Sequence, residues 1–267
     1  MKKIIVMIIG LLIGFQINGK SQDLEIGLFG GGSYYNGEIN PGKPFMQTKM
    51  AYGLLARYNL NKRMALRLNA YRGTLTGDDA VAKYKEDRGL SFTSDITDLS
   101  VIFEFNFLPF FVGSEKSYWT TYIFGGASVF FFNPKAGGVE LREIGTEGQN
   151  IGFEGREKYS LTGFSIPFGL GLKYSLTKRI GIGLEWGMHK TYTDYIDDIS
   201  STYYLNGSSI DPENTAGVLS DPTLSHGVYE QRGNPEKNDW FSFAGLSITY
   251  KFNLQSRARC LNQQTFN

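Results

Sequence analysis

The feature that most constrains this chain is a period of two. From Ile180 to Met188, the residues Ile180, Ile182, Leu184, Trp186 and Met188 alternate with Gly181, Gly183, Glu185 and Gly187. Successive strand side chains point to opposite faces, so one face is apolar and the other is small or charged. A helix needs apolar residues three and four apart, and this run has the wrong spacing. The pattern recurs about eight times, in spans of roughly ten residues. It is plainest where Leu99, Val101, Phe103, Phe105 and Phe107 alternate with Ser100, Ile102, Glu104 and Asn106. A soluble sheet can alternate too, with its apolar face turned inward. Here the opposite face carries charges. The expected fold is therefore all-β: an eight-stranded antiparallel transmembrane β-barrel with its apolar face toward lipid.

The pattern places strands near residues 24–35, 51–60, 64–75, 96–107, 118–132, 161–176, 178–189 and 240–252. The fifth has apolar residues on both parities, so its faces stay open. Pro167 interrupts the sixth, and because proline has no amide hydrogen a bulge is expected there. Odd-numbered connections are long and even-numbered ones short. In outer-membrane barrels the long loops lie outside, which puts the short turns and both termini in the periplasm.

Lys2 and Lys3 precede an uncharged apolar run from Ile4 to Phe15, with small residues at Gly19 and Ser21. This describes a signal peptide over residues 1–21, cut before Gln22. The run is short of the about 20 residues of a membrane span. The barrel then occupies residues 22–253, and residues 254–267 form a periplasmic tail. The only cysteine, Cys260, excludes an internal disulfide framework and reads as an unpaired thiol, an intermolecular bridge being the other reading. A net charge of +1 gives no field for nucleic acid. Aromatic residues, 15% of the chain, fit two interfacial belts. Tyr58, Phe107, Tyr118, Trp119, Tyr174 and Tyr250 lie near periplasmic strand ends, and Tyr34, Tyr192, Tyr195, Trp240 and Phe241 near outer ends.

The inward parity carries Arg57, Arg67 and Lys173 against Glu25, Glu104 and Glu185. An eight-stranded barrel is just wide enough for its own side chains. Six charges in that space must pair, because a lone buried charge costs several kcal/mol. The expected result is a plugged, salt-bridged lumen in the periplasmic half; an ion or proton path is the competing reading. No catalytic or cofactor set emerges. Glu185 and His189 share a strand face about 13 Å apart, too far for a base and its orienting partner. No G-x-S-x-G motif is present. His189 is expected to be hydrogen-bonded to neighbours in the lumen or at its rim. Asp194, Asp197 and Asp198 offer carboxylates to Ca²⁺, but their spacing departs from the known calcium loop, and no metal site is assigned.

Several stretches carry a resemblance: GGGSYYNGEINPG, LRLNAYRGTLTGDDA, RGLSFTSDITDLSVIFEFNF and MHKTYTDYIDDIS, followed by a long loop and a final strand. Together they resemble the PorG group, small outer-membrane barrels of the type IX secretion system of Bacteroidota, across nearly the whole mature chain. The resemblance implies no catalysis. It implies outer-membrane lipid as the surroundings, and association with periplasmic ring proteins, a lipoprotein and its partner. The closing run GLSITYKF resembles the terminal signal for barrel insertion, although the chain continues past it. The tail is the expected partner surface, with Arg257 and Arg259 to pair with acidic groups and Leu254 and Leu261 to bury. The alternative function is a surface-exposed binding or adhesion barrel that acts through its outer loops.

Overall fold

The computed structural model describes residues 23–253, which form the closed barrel that the alternation predicts. The signal peptide expected at residues 1–21 lies outside the described residues. So does the tail with Leu254, Arg257, Arg259, Cys260 and Leu261. Eight long strands make the wall: β1 (Asp23–Asn36), β2 (Lys49–Asn59), β3 (Met64–Asp78), β4 (Ser91–Asn106), β5 (Trp119–Ala136), β7 (Thr162–Ser175), β8 (Ile180–Thr191) and β9 (Trp240–Asn253). All neighbours are antiparallel; β1 pairs with both β2 and β9, and the β4–β5 pairing closes the ring. A two-residue strand, β6 (Val139–Glu140), extends the end of β5. Short helices α1 (Asp79–Ala82), α2 (Leu141–Ile144) and α3 (Thr215–Ser220) all belong to the long connections at one rim.

Burial is inverted relative to a soluble barrel. Along β7, Phe164, Ile166, Phe168, Leu170, Leu172 and Tyr174 are exposed, as are Leu99, Val101, Phe103 and Phe105 on β4. Glu25, Arg57, Arg67, Glu104 and Lys173 are buried inside. Apolar out and charged in is the arrangement for lipid outside. No helix among the described residues is long and apolar enough to cross a membrane. Glycines make room on the inner face. A Cβ at Gly171 would lie 2.6 Å from the Tyr122 ring, and one at Gly31 would lie 2.2 Å from the Ala244 carbonyl oxygen across the β1–β9 seam.

Four details differ from the sequence reading. First, the six charges share the inner face with an aromatic half that the sequence reading did not foresee. Toward the long loops that face is aromatic: Phe29 stacks on Tyr71 at 4.4 Å, and Phe243 meets Tyr71 edge-on at 5.6 Å. This resolves β5, where Tyr122, Phe124, Phe130 and Phe132 point in while Ile123 and Phe131 point out. Both faces are apolar because this part of the lumen is packed like a core. Second, Pro167 makes no bulge. The β5–β7 ladder opens at Gly126 and Ala127, yet its register is the same on either side, from Gly125–Phe168 to Ser128–Ser165. Opening the ladder removes the demand for the missing amide hydrogen.

Third, the connections do not segregate strictly by length. Residues 107–118 are as numerous as residues 37–48 at the other rim. They fold back under the barrel, burying Phe110 and Val112. The Gly113 amide donates to Ser175 Oγ at 2.7 Å, and Lys251 Nζ donates to the Val112 carbonyl. Fourth, three residues leave the expected outer belt, among them Tyr195, which stacks on Tyr159 at 4.5 Å. Phe241 points inward, fully buried against Phe130. Tyr34 points outward but is covered by Phe45 and accepts a 2.8 Å bond from Trp186 Nε1.

Candidate functional site

The six inward charges meet in one layer. Glu104, on β4, sits at its centre: Arg57 Nε donates to its Oε2 at 2.9 Å, and Lys173 Nζ donates to the same oxygen. Arg67 Nε stands 3.1 Å from Oε1 as a charge contact without hydrogen-bond alignment. Each arginine then reaches a second carboxylate, Arg57 to Glu25 at 2.8 Å and Arg67 to Glu185 at 2.5 Å. Period-two geometry puts all six inside, and the register puts Arg57 opposite both Glu25 and Arg67. Direct opposition of two arginines is tolerable only because Glu104 lies between them. None of the six is more than 5% exposed.

Sequence reading missed the neutral partners. Tyr71 and Tyr122 donate to Glu185 at 3.1 and 2.8 Å, Asn59 donates to Glu25 at 2.7 Å, and Asn106 Oδ1 accepts from Lys173 at 3.0 Å. Aromatic faces complete the layer, with Lys173 4.2 Å from the Tyr122 ring centre and Arg67 5.2 Å from that of Phe124. Tyr71, Asn59 and Asn106 lie on the inward parity of strands whose faces the alternation assigns, which was the available signal, whereas Tyr122 lies on β5, whose faces it left open. The layer is a set of matched charges that hydrogen-bond one another, with Arg67 Nε and Glu104 Oε1 held only by their charge contact. It fills the lumen.

His189 lies further along the lumen, stacked on Phe241 at 4.3 Å. Its Nδ1 is 3.2 Å from Ser165 Oγ and 3.5 Å from Asp98 Oδ1. Serine, histidine and aspartate together suggest a nucleophile triad. A relay, however, needs the acid on one ring nitrogen and the serine on the other. Here both lie at Nδ1, and Ser165 shares its hydroxyl with Ser128 at 2.6 Å. The geometry is that of a buried polar cluster.

The long connections form a second polar centre above the aromatic lumen. Arg88 pairs with Asp79 at 2.7 Å, and its Nη1 donates to the Arg232 carbonyl at 2.8 Å. Arg232 pairs with Glu147 at 3.1 Å and donates to the Asp198 carbonyl at 2.5 Å. Asp198 also accepts from Tyr159 at 2.7 Å and from Thr146. Burial, the largest effect, lifts its carboxyl to about 6 against the pull of Arg232. These contacts tie together residues 79–90, 137–161 and 192–239, so the loops form a folded cap.

Within the TDYIDD run, Asp198 turns to this cap, while Asp194 and Asp197 turn toward Glu38 and Asp239. Carboxylate oxygens of Glu38, Asp197 and Asp239 all lie within 4.8 Å of one another. Tyr35 donates toward Asp197 at 2.5 Å and toward Asp239 at 2.8 Å. Backbone amides of Ile199, Ile196 and Asn234 donate to Asp197, Asp239 and Glu38, each at 3.0 Å. Burial and mutual repulsion hold the carboxyls of Asp197 and Asp239 well above the usual range. Asp194 is pushed up to about 9 by burial and then by the charges of Glu38 and Asp197. Sequence spacing hid this set because its members come from residues far apart in the chain.

The family profile described as "Domain of unknown function (DUF6089)" matches residues 2–206. No curated protein is similar enough in sequence to be matched to the chain. Among solved structures, Neisserial surface protein A is 11% identical, with 87% of this chain and all of that one covered and a TM-score of 0.45. OprG of Pseudomonas aeruginosa is 13% identical over 88% of this chain and 98% of its own, TM-score 0.43. Ail, the attachment invasion locus protein of Yersinia pestis, is 12% identical over 87% and 99%, TM-score 0.42.

Proposed function

The chain belongs to the DUF6089 family, and on that premise we propose that it is a non-enzymatic platform in the outer membrane. Its role in this reading is that of a component of a type IX-like protein secretion machine that associates with periplasmic ring proteins. The observation that carries the platform reading is the plugged lumen: six paired charges, none more than 5% exposed, leave the barrel interior occupied by its own side chains. A barrel closed in this way acts through its rims. The secretion role is supported by the sequence runs that resemble the PorG group. In this orientation the long connections face outside and both termini face the periplasm.

The periplasmic rim offers more than two short turns. Residues 107–118 pack across the opening, with Lys62 and Lys251 each about 6 Å from the Phe111 ring centre. That fixed surface, extended by the tail at residues 254–267, is the proposed grip. Short turns alone fall below the roughly 800 Å² per partner of a stable interface. The test is copurification from solubilised outer membranes. Deleting residues 254–267 should leave a heat-modifiable barrel that no longer brings down periplasmic ring proteins.

A second reading, surface binding through the outer loops, is favoured by one observation. The folded cap presents Ile151, Tyr192 and Tyr229 at 71%, 60% and 60% exposure. If Ile151→Ser with Tyr229→Ser abolishes partner capture while the tail deletion does not, the periplasmic grip is wrong and the surface reading stands.

A further inference from the structure

We propose that Glu38, Asp197 and Asp239, with Asp194 beside them, form a calcium site that fastens the first outer loop to the last. Glu38 belongs to residues 37–48, which follow β1. Asp194 and Asp197 begin residues 192–239, and Asp239 ends them just before β9. One ion there spans the β1–β9 and β8–β9 seams at their outer ends.

Three observations carry the site. The oxygens of Glu38, Asp197 and Asp239 lie within 4.8 Å of one another. Calcium holds oxygens at 2.3–2.6 Å, so two ligands on one ion stand up to about 5 Å apart. Next, Tyr35 has one hydroxyl hydrogen but lies within hydrogen-bond distance of two carboxylates, at 2.5 and 2.8 Å. The tyrosine hydrogen can lie in only one of those oxygen–oxygen contacts, so the other needs a carboxyl proton or a cation to offset it. Last, Asp194 is 5% exposed, and neither of its carboxylate oxygens has a hydrogen-bond partner. It stands three residues before Asp197, close enough for the charges of Glu38 and Asp197 to act on it and for its own to act on Asp239.

Two cations act on Glu38, Arg88 and Lys85, and neither makes an ion pair with the three carboxylates. Arg88, whose charge reaches Glu38 and Asp197, spends its guanidinium on Asp79 and on two backbone carbonyls. An all-oxygen donor set selects a hard cation. Magnesium keeps several waters and avoids cages made wholly of protein, whereas calcium accepts six to eight flexible oxygen ligands. A cleft of about 560 Å³ bordered by Glu38, Lys85, Asn234 and Trp240 brings solvent to the Glu38 side of the set.

The competing account is that the carboxylates share protons, and the two accounts give opposite signs. The full chain in detergent is stripped with chelator and titrated with terbium and with calcium chloride. A bound terbium ion should luminesce on excitation of Tyr35, and calcium should quench that signal competitively. Protease cleavage within residues 192–239 should slow at least tenfold at millimolar calcium relative to chelator. Asp197→Asn with Asp239→Asn should abolish both responses, while Glu143→Gln, at an exposed ion pair, should keep them. The proposal is overturned if calcium changes neither signal, or if the double variant resists protease in chelator better than the parent does in calcium.

Discussion

Replacing Glu104 by glutamine keeps the side chain's size and removes the one negative charge that touches all three lumen cations. With charge centres about 4 Å apart and an effective dielectric near 20, each contact is worth about 4 kcal/mol. Three are lost together, about 12 kcal/mol of attraction. Most of that is offset, because the carboxylate no longer has to be desolvated and no longer repels Glu25 and Glu185. The remainder is the roughly 3–5 kcal/mol typical of breaking a buried pair. After the change, Arg57 keeps Glu25 and Arg67 keeps Glu185, but Lys173 keeps only Asn106 and the Tyr122 ring. The orphan is thus Lys173. At roughly 2–4 °C per kcal/mol for a domain of this size, the heat-modifiability midpoint should fall by about 6–20 °C. Adding Lys173→Met removes the orphaned charge and should recover at least half of the loss. An unchanged midpoint for Glu104→Gln, or a double variant no better than the single, would refute the reasoning.

Two further outcomes follow from the rims and the seam. With Cys260 replaced by serine, cysteines at Glu86, Glu157 and Asn206 should react with an impermeant thiol reagent on intact cells. Cysteines at Lys62 and Lys178 should react only after permeabilisation; the reverse pattern would invert the orientation. Gly31→Val places a Cβ 2.2 Å from the Ala244 carbonyl and 2.5 Å from the Gly245 Cα, where backbone cannot give way. Overpacking of this kind costs about 1–3 kcal/mol. The β1–β9 seam should open first, measured as loss of the folded band on unheated gels.

The barrel was legible in the chain because membrane strands impose a period of two that needs no tertiary knowledge. Lipid requires apolar side chains at outward positions within its depth, so Leu99 to Phe105 on β4 declares its face locally. The same parity put Arg57, Arg67, Lys173, Glu25, Glu104 and Glu185 inside, and a narrow lumen requires such charges to pair. Which charge meets which was not legible. That Glu104 serves three cations depends on register between strands and on the shear of a closed ring. The strand-five faces were hidden for a related reason: Phe130 and Phe132 are apolar because the lumen above the charges is packed by aromatics from other strands. Pro167 illustrates the limit from the other side, since only the neighbouring strand reveals whether a missing amide is met by a bulge or by an open ladder. The outer acid set lies furthest from sequence. Glu38 and Asp239 are 201 positions apart, and only closure of β1 against β9 brings them together. Local alternation dictates the wall of such a protein, whereas every contact between loops is set by which strands become neighbours.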